Sequence, residues 1–145
     1  MFDHKYFTYI LTNYKKTVLY VGVTNSLERR LTEHFFNRGN NSSFTGKYYC
    51  FYLLHYESFK YINDAIAREK EIKGWSRKKK EKLINEENPD WEFLNSKITA
   101  WPPLEKNHHQ LLDPRRQRLW MTDSIINRKR LNLIQLNHRN LRPDA

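Results

Sequence analysis

Five side chains in the first half of the chain are of the types that cleave phosphodiesters. Tyr9 and Tyr20 stand eleven residues apart, Arg30 and His34 follow four apart, and Glu69 comes later. Hydrolysing a phosphodiester takes a deprotonated water, positive charge on the phosphoryl oxygens and help for the leaving oxygen. A phenol, with its ordinary pKa of about 10, serves as a general base only if a nearby cation or metal pulls that value down. Arg30 and His34 are the candidates for that field. Arg30 can also hold the scissile phosphate through a charge-assisted contact. Glu69 is a hard oxygen donor of the kind that holds Mg²⁺ through one carboxylate plus substrate oxygens and waters.

Local patterns place these groups on elements. Residues 6–12 (YFTYILT) are aromatic and β-branched and predict a strand; the polar NYKK after it suits a hairpin turn. Residues 17–23 (TVLYVGV) predict the second strand, where Gly22 allows a bulge or the close approach of another group. Asn25 is the expected helix N-cap, with Glu28 completing a capping box. The helix should run over 26–37, with Leu27, Leu31 and Phe35 as its apolar stripe and Arg30 and His34 as a second row beside it. Residues 38–47 (RGNNSSFTGK) read as a flexible loop. Residues 48–56 (YYCFYLLHY) are expected to form a third, central strand. A helix over 61–74 carries Glu69 in its apolar stripe, and Ser76 caps another helix, SRKKKEKLINEE.

The bulk properties narrow the partner. The chain has 145 residues, 26 Lys and Arg against 16 Asp and Glu, and a pI near 9.7. That size holds one domain and an appendage. The balance points to an anionic partner, nucleic acid before a membrane surface. No apolar stretch approaches the roughly 20 residues that span a bilayer. The single cysteine, Cys50, cannot pair internally and reads as a buried thiol. With no signal-peptide pattern at the start, a cytoplasmic location is expected. Residues 1–96 are expected to form the domain and 97–145 a basic extension, in which 119–136 could form one amphipathic helix.

The ordered set of motifs resembles the GIY-YIG nuclease domain, especially its small stand-alone bacterial members. It is more distantly similar to the N-terminal incision domain of the repair protein UvrC. Thr8-Tyr9-Ile10 matches the first element and Tyr20-Val21-Gly22 the second; Arg30, His34 and Glu69 match the family's arginine, histidine and metal-binding glutamate. The likeness runs over residues 6–94. The literal G-I-Y is absent, with Phe7-Thr8 before Tyr9, and Val23 stands where some members carry lysine. The resemblance implies an α/β (α+β) fold, a three-stranded antiparallel sheet flanked by helices. It implies a DNA endonuclease using Mg²⁺ or Mn²⁺, and a protein partner for targeting. Tyr9 would deprotonate or orient water, Tyr20 and His34 would assist by hydrogen bonding and proton relay, Arg30 would stabilise the phosphorane and Glu69 would anchor the metal.

Each residue also has a bland reading. Strand tyrosines are ordinary, Arg30 can pair with Glu28 or Glu33, and Glu69 with Lys73 makes a well-oriented helical pair. Arg29, Lys73, Arg77, Lys78, Lys79 and Lys80 are candidates for tracking a DNA backbone, against the alternative of a solvated helix face. A second function follows from these readings: a nucleic-acid-binding module that keeps the fold and cleaves poorly.

Overall fold

The computed structural model describes residues 4–104. Strand β1 (Tyr6–Thr12) lies at the centre of a three-stranded antiparallel sheet, between β2 (Leu19–Thr24) and β3 (Tyr52–Phe59). The expectation of a central third strand is therefore corrected. The reason is in the burial: Thr8 to Thr12 are buried without a break, whereas β3 carries exposed Tyr56 and Ser58 and half-buried Glu57, as an edge strand does. The β1–β2 turn closes on Asn13, whose Oδ1 accepts from the backbone N–H of Thr17 at 2.8 Å and of Val18 at 3.2 Å. An asparagine side chain that mimics a backbone turn is the usual device in such a position.

Alternation along β1 sends side chains to two different cores. Tyr9 and Leu11 join Leu27 and Leu31 of helix α1 (Leu27–Phe36), with Cys50 and Leu53. Ile10 joins Val21, Leu54, Ile72 of α3 (Ile62–Lys73) and Ile84 of α4 (Arg77–Glu87) on the other face. The sheet is thus covered on both faces. Among the described residues no helix is long and apolar enough to cross a membrane. Cys50 is fully buried, and burial pushes its thiol up to about 11.

Two local expectations change. The N-cap of α1 is Ser26 rather than Asn25: Ser26 Oγ accepts from Arg29 N–H at 3.3 Å, while Thr24 Oγ1 accepts from Ser26 N–H at 3.1 Å. Asn25 instead accepts from the Arg29 guanidinium at 2.6 Å. The stretch expected to be a flexible loop contains a short helix, α2 (Phe44–Lys47), capped by Ser43. Its polar side chains bond to one another: Asn37 Nδ2 donates to Ser43 Oγ at 3.0 Å, and Asn40 Nδ2 donates to Asn37 Oδ1 at 2.9 Å. A Cβ on Gly46 would run into the carbonyl oxygens of Asn37 and Asn40, so only glycine lets this loop close so tightly.

Past α4, Asn88 and Asn95 tie the chain back to β3. Asn95, the first residue of α5 (Asn95–Ile98), accepts from Leu53 N–H and donates to the Phe51 carbonyl, both at 2.7 Å. Leu94, Ile98 and Trp101 pack against the Tyr9 core. The candidate helix over 119–136 lies outside the described residues.

Candidate active site

The site is built on the α1 face of the sheet. Register pairs Tyr9 with Gly22, and Tyr20 lies two residues before Gly22 on the same face. A Cβ at Gly22 would sit 2.5 Å from Tyr9 Cζ and Oη and 3.1 Å from Tyr20 Cε1. The missing side chain is what lets the Tyr9 ring end come close against Gly22 beside Tyr20, with ring centroids 6.4 Å apart and the rings tilted. This is the close approach that the glycine allowed for.

Helix α1 brings the other two groups onto the same hydroxyl. Arg30 Nε donates to Tyr9 Oη at 3.2 Å, and His34 Nε2 lies 3.1 Å from that oxygen. The two come from one helix, four residues apart, so they project together as the periodicity required. Arg30 Nη1 also donates to Glu33 Oε2 at 3.1 Å. The bland reading of Arg30, a helical pair with Glu33, and the functional one are therefore both realised by different nitrogens of one guanidinium. On its far side His34 Nδ1 lies 3.1 Å from Thr45 Oγ1. Tyr20 touches His34 edge-on, with centroids 5.8 Å apart, and stacks on exposed Phe44.

The electrostatics differ from the sequence-based expectation. Tyr9 is 1% exposed, and burial pushes its phenol above the ordinary range; Arg30 opposes this but does not win. His34 is held well below its usual value, first by burial and then by Arg30, so it is a neutral imidazole. His34 thus supplies no positive field, which corrects that expectation. Burial also works against the charge of Arg30, but the surrounding Tyr9, Tyr20 and Glu33 oxygens outweigh it and secure the guanidinium as a cation. Burial raises the Glu33 carboxyl, with Arg30 and Arg29 pulling the other way.

Arginine can only donate, and a buried phenolic hydrogen needs an acceptor. Among its described neighbours that acceptor is His34 Nε2. The resting chain is then Arg30 Nε–H to Tyr9 Oη, and Tyr9 O–H to His34 Nε2.

Glu69 arrives from elsewhere. It is 9% exposed on α3, across the sheet from Tyr9, and makes an ion pair with Lys73, whose side chain is half exposed. The ionisable groups near enough to bear on Tyr9 include Arg30, Tyr20 and Glu33. Helix α3 packs on β1 and on β2, the edge strand that carries Tyr20. Among the described residues no three His, Cys, Asp or Glu side chains gather as a metal cage. The donor set suits Mg²⁺, which accepts one carboxylate and takes its remaining oxygens from water and substrate phosphate. Glu69 would hold it.

The basic candidates divide. Arg29 bonds Asn25 and pairs with Glu33 at 3.5 Å. Arg77 pairs with Glu81 and donates to the carbonyls of Thr17 and Lys16, pinning the β1–β2 turn. Lys78 and Lys79 are exposed and Lys80 is half-buried; Lys79 Nζ lies 4.4 Å from the Trp75 ring centroid. The residues that sequence reasoning passed over are Thr45 and, as more than a surface partner, Glu33. Neither carries a local signal, since a threonine in a polar loop and a glutamate on a charged helix are both commonplace.

The chain is thus a small α+β domain with a Tyr–Arg–His cluster on one face of its antiparallel sheet. Residues 5–82, more than half the chain, match the family described as the GIY-YIG catalytic domain, and the chain belongs to that family. Its relatives include a UPF0213 protein of Natronomonas pharaonis, 39% identical over 85 residues, which cover 59% of this chain and 94% of the relative. A UPF0213 protein of Staphylococcus saprophyticus is 37% identical over 82 residues, 57% of this chain and 96% of its own. One from Haloquadratum walsbyi is 40% identical over 68 residues, 47% of this chain and 74% of its own. No solved structure matches the chain significantly.

Proposed function

We propose that the chain is a metal-dependent DNA endonuclease, with Tyr9 as the general base, Arg30 as the fixed charge beside the phosphate and Glu69 as the metal anchor. The observation that carries this reading is the convergence of Arg30 and His34 on the single buried oxygen of Tyr9. A hydroxyl bonded to a permanent cation on one side and a neutral imidazole on the other can lose its proton to the imidazole while the guanidinium stabilises the phenolate. The deprotonated oxygen then takes the proton of the attacking water. Arg30 would stabilise the charge that develops on the phosphoryl oxygens, with its partner Glu33 keeping the guanidinium oriented. Tyr20, half-buried at the β2 edge, walls the site and can hydrogen-bond substrate. Mg²⁺ or Mn²⁺, when bound, would supply Lewis-acid stabilisation of the phosphoryl and leaving oxygens.

A second reading, a nucleic-acid-binding module that cleaves poorly, draws on a different observation: the Tyr9 hydroxyl is sealed from solvent and Glu69 is already paired with Lys73. One experiment separates the two. Labelled linear, nicked and branched DNAs are incubated with Mg²⁺ or Mn²⁺ and wild type or Glu69→Ala. Cleavage by wild type alone is expected. Equal cleavage by both would remove Glu69 from the site. No cleavage by either, with binding that weakens steeply as salt is added, would establish the module instead.

A further inference from the structure

We propose that Thr45 is a positioning residue for this site. Its hydroxyl accepts from His34 Nδ1 and carries away the proton that His34 sheds when Nε2 takes one from Tyr9, so that the imidazole never has to hold two protons. The inference rests on the reading of Tyr9 as a general base.

The argument begins with a constraint. His34 lies between two hydroxyls, Tyr9 Oη at Nε2 and Thr45 Oγ1 at Nδ1, both at 3.1 Å. All three residues are buried. A neutral imidazole has one N–H and one lone pair, so one hydroxyl must donate to it and the other accept from it. Arg30 donates into Tyr9 Oη, and the Tyr9 hydrogen goes to Nε2. Nδ1 then carries the proton and donates to Thr45.

If His34 simply accepted the Tyr9 proton it would become an imidazolium, buried and close to the Arg30 cation. Thr45 offers another course, because a hydroxyl can accept and donate at once. The Tyr9 O–H bond breaks as the Nε2–H bond forms. The Nδ1–H bond breaks as a new Thr45 O–H bond forms, and the original Thr45 hydroxyl proton passes to a water. The products are a Tyr9 phenolate, a neutral His34 in its other tautomer, an unchanged Thr45 and one proton in solvent. The phenolate now accepts from both Arg30 Nε–H and His34 Nε2–H, and is ready to take a proton from the attacking water. The leaving oxygen, on the far side of phosphorus from the attacking water, takes its proton from solvent; Tyr9 then sheds the water's proton to solvent, and reversal of the two transfers restores the resting form.

The loop is built to hold Thr45 there. Helix α2 is capped by Ser43 Oγ, which accepts from Gly46 N–H at 3.1 Å, and Gly39 N–H donates to the Gly46 carbonyl at 2.9 Å. Thr45's own carbonyl accepts from Cys50 N–H at 2.9 Å. The hydroxyl is thereby fixed against His34 from a segment that is neither strand nor α1. Exposed Phe44 and Lys47 lie on the same short helix, so solvent is close by.

The test has two arms. In the first, ¹⁵N NMR of the His34 ring is recorded on the full chain without DNA or metal, for wild type, Thr45→Val, Thr45→Ala and Thr45→Ser, with thermal unfolding as a check on folding. Wild type and Thr45→Ser should show the Nδ1–H tautomer with a slowly exchanging proton. The Val and Ala variants should keep that tautomer, which Arg30 and Tyr9 hold, but lose the protection of the Nδ1 proton. In the second arm, cleavage by Thr45→Val should fall about 30-fold in kcat, with DNA affinity unchanged and Thr45→Ser within about threefold of wild type. An Nε2–H tautomer in resting wild type overturns the inference, as does a Thr45→Val variant with the wild-type proton protection or rate. If no form of the protein cleaves DNA, the endonuclease reading fails, and the proton-protection comparison by itself decides whether Thr45 holds His34 Nδ1.

Discussion

The Tyr9 hydroxyl lies 3.1 Å from His34 Nε2, joining the central strand to a helix 25 residues later. Both groups are buried, and in both burial works against the charged form: it raises the phenol and lowers the imidazole. The pair therefore rests as two neutral groups sharing one proton. Any chemistry it performs starts with movement of that proton, not with a standing phenolate.

Gly22→Ala should separate position from chemistry. The added methyl would meet the Tyr9 ring end at 2.5 Å and force the hydroxyl away from Arg30 and His34. Overpacking of this kind costs about 1–3 kcal/mol. A displacement near 1 Å costs roughly 100-fold in rate. Urea unfolding and cleavage at saturating DNA would read the two effects. Wild-type cleavage by this variant would show that Tyr9 need not sit where it does.

His34 should make stability fall in acid. Its folded value lies below the unfolded value of about 6.5, so below that pH the unfolded chain binds the extra proton and the folded chain does not. The contribution is fully present above pH about 6.5 and is lost as pH falls toward the folded value, with a slope of up to about 1.4 kcal/mol per pH unit. Glu33 has the opposite sign. Its raised folded value favours the folded state as pH drops through it, in the carboxylate range above about 4.3. The clean observable is the difference between wild type and His34→Gln in denaturant midpoint from pH 7.5 to 5.5. Parallel curves would mean that His34 titrates alike in the folded and unfolded chains.

Glu69→Gln keeps the shape of the side chain but removes the anion. Its partner Lys73 is half exposed, so losing the pair should cost no more than about 1 kcal/mol. Cleavage should not be recovered at any Mg²⁺ concentration, while DNA affinity stays within about twofold, since a metal anchor and a backbone-tracking surface are separate. Recovery at high Mg²⁺ would reduce Glu69 to a minor ligand.

Asn95→Ala tests what joins α5 to the sheet. The substitution leaves the Leu53 N–H and the Phe51 carbonyl buried without their partner. Two such groups should cost about 2–4 kcal/mol, read as a lower denaturant midpoint at unchanged m-value. A loss under about 1 kcal/mol would mean that water replaces the amide there.

The sequence alone determined those parts of the protein that depend on local repeats. The aromatic and β-branched composition of residues 6–12 and 17–23 placed Tyr9 and Tyr20 on strands, and the spacing of four put Arg30 and His34 on one side of a helix, because strand and helix preferences act over a few residues. The motif order pointed to the GIY-YIG family, and residues 5–82 match it. Only the tertiary structure decided that β1 is the central strand, since three apolar segments of similar composition do not reveal which is covered on both edges. It also decided the electrostatics: Arg30 was expected to pull the Tyr9 phenol down, but the packing of α1 over the sheet removed the water and pushed it up. Thr45 was illegible for the same reason. A hydroxyl in a polar loop becomes part of a proton path only when folding sets it against an imidazole eleven residues away, and no local spacing records that contact.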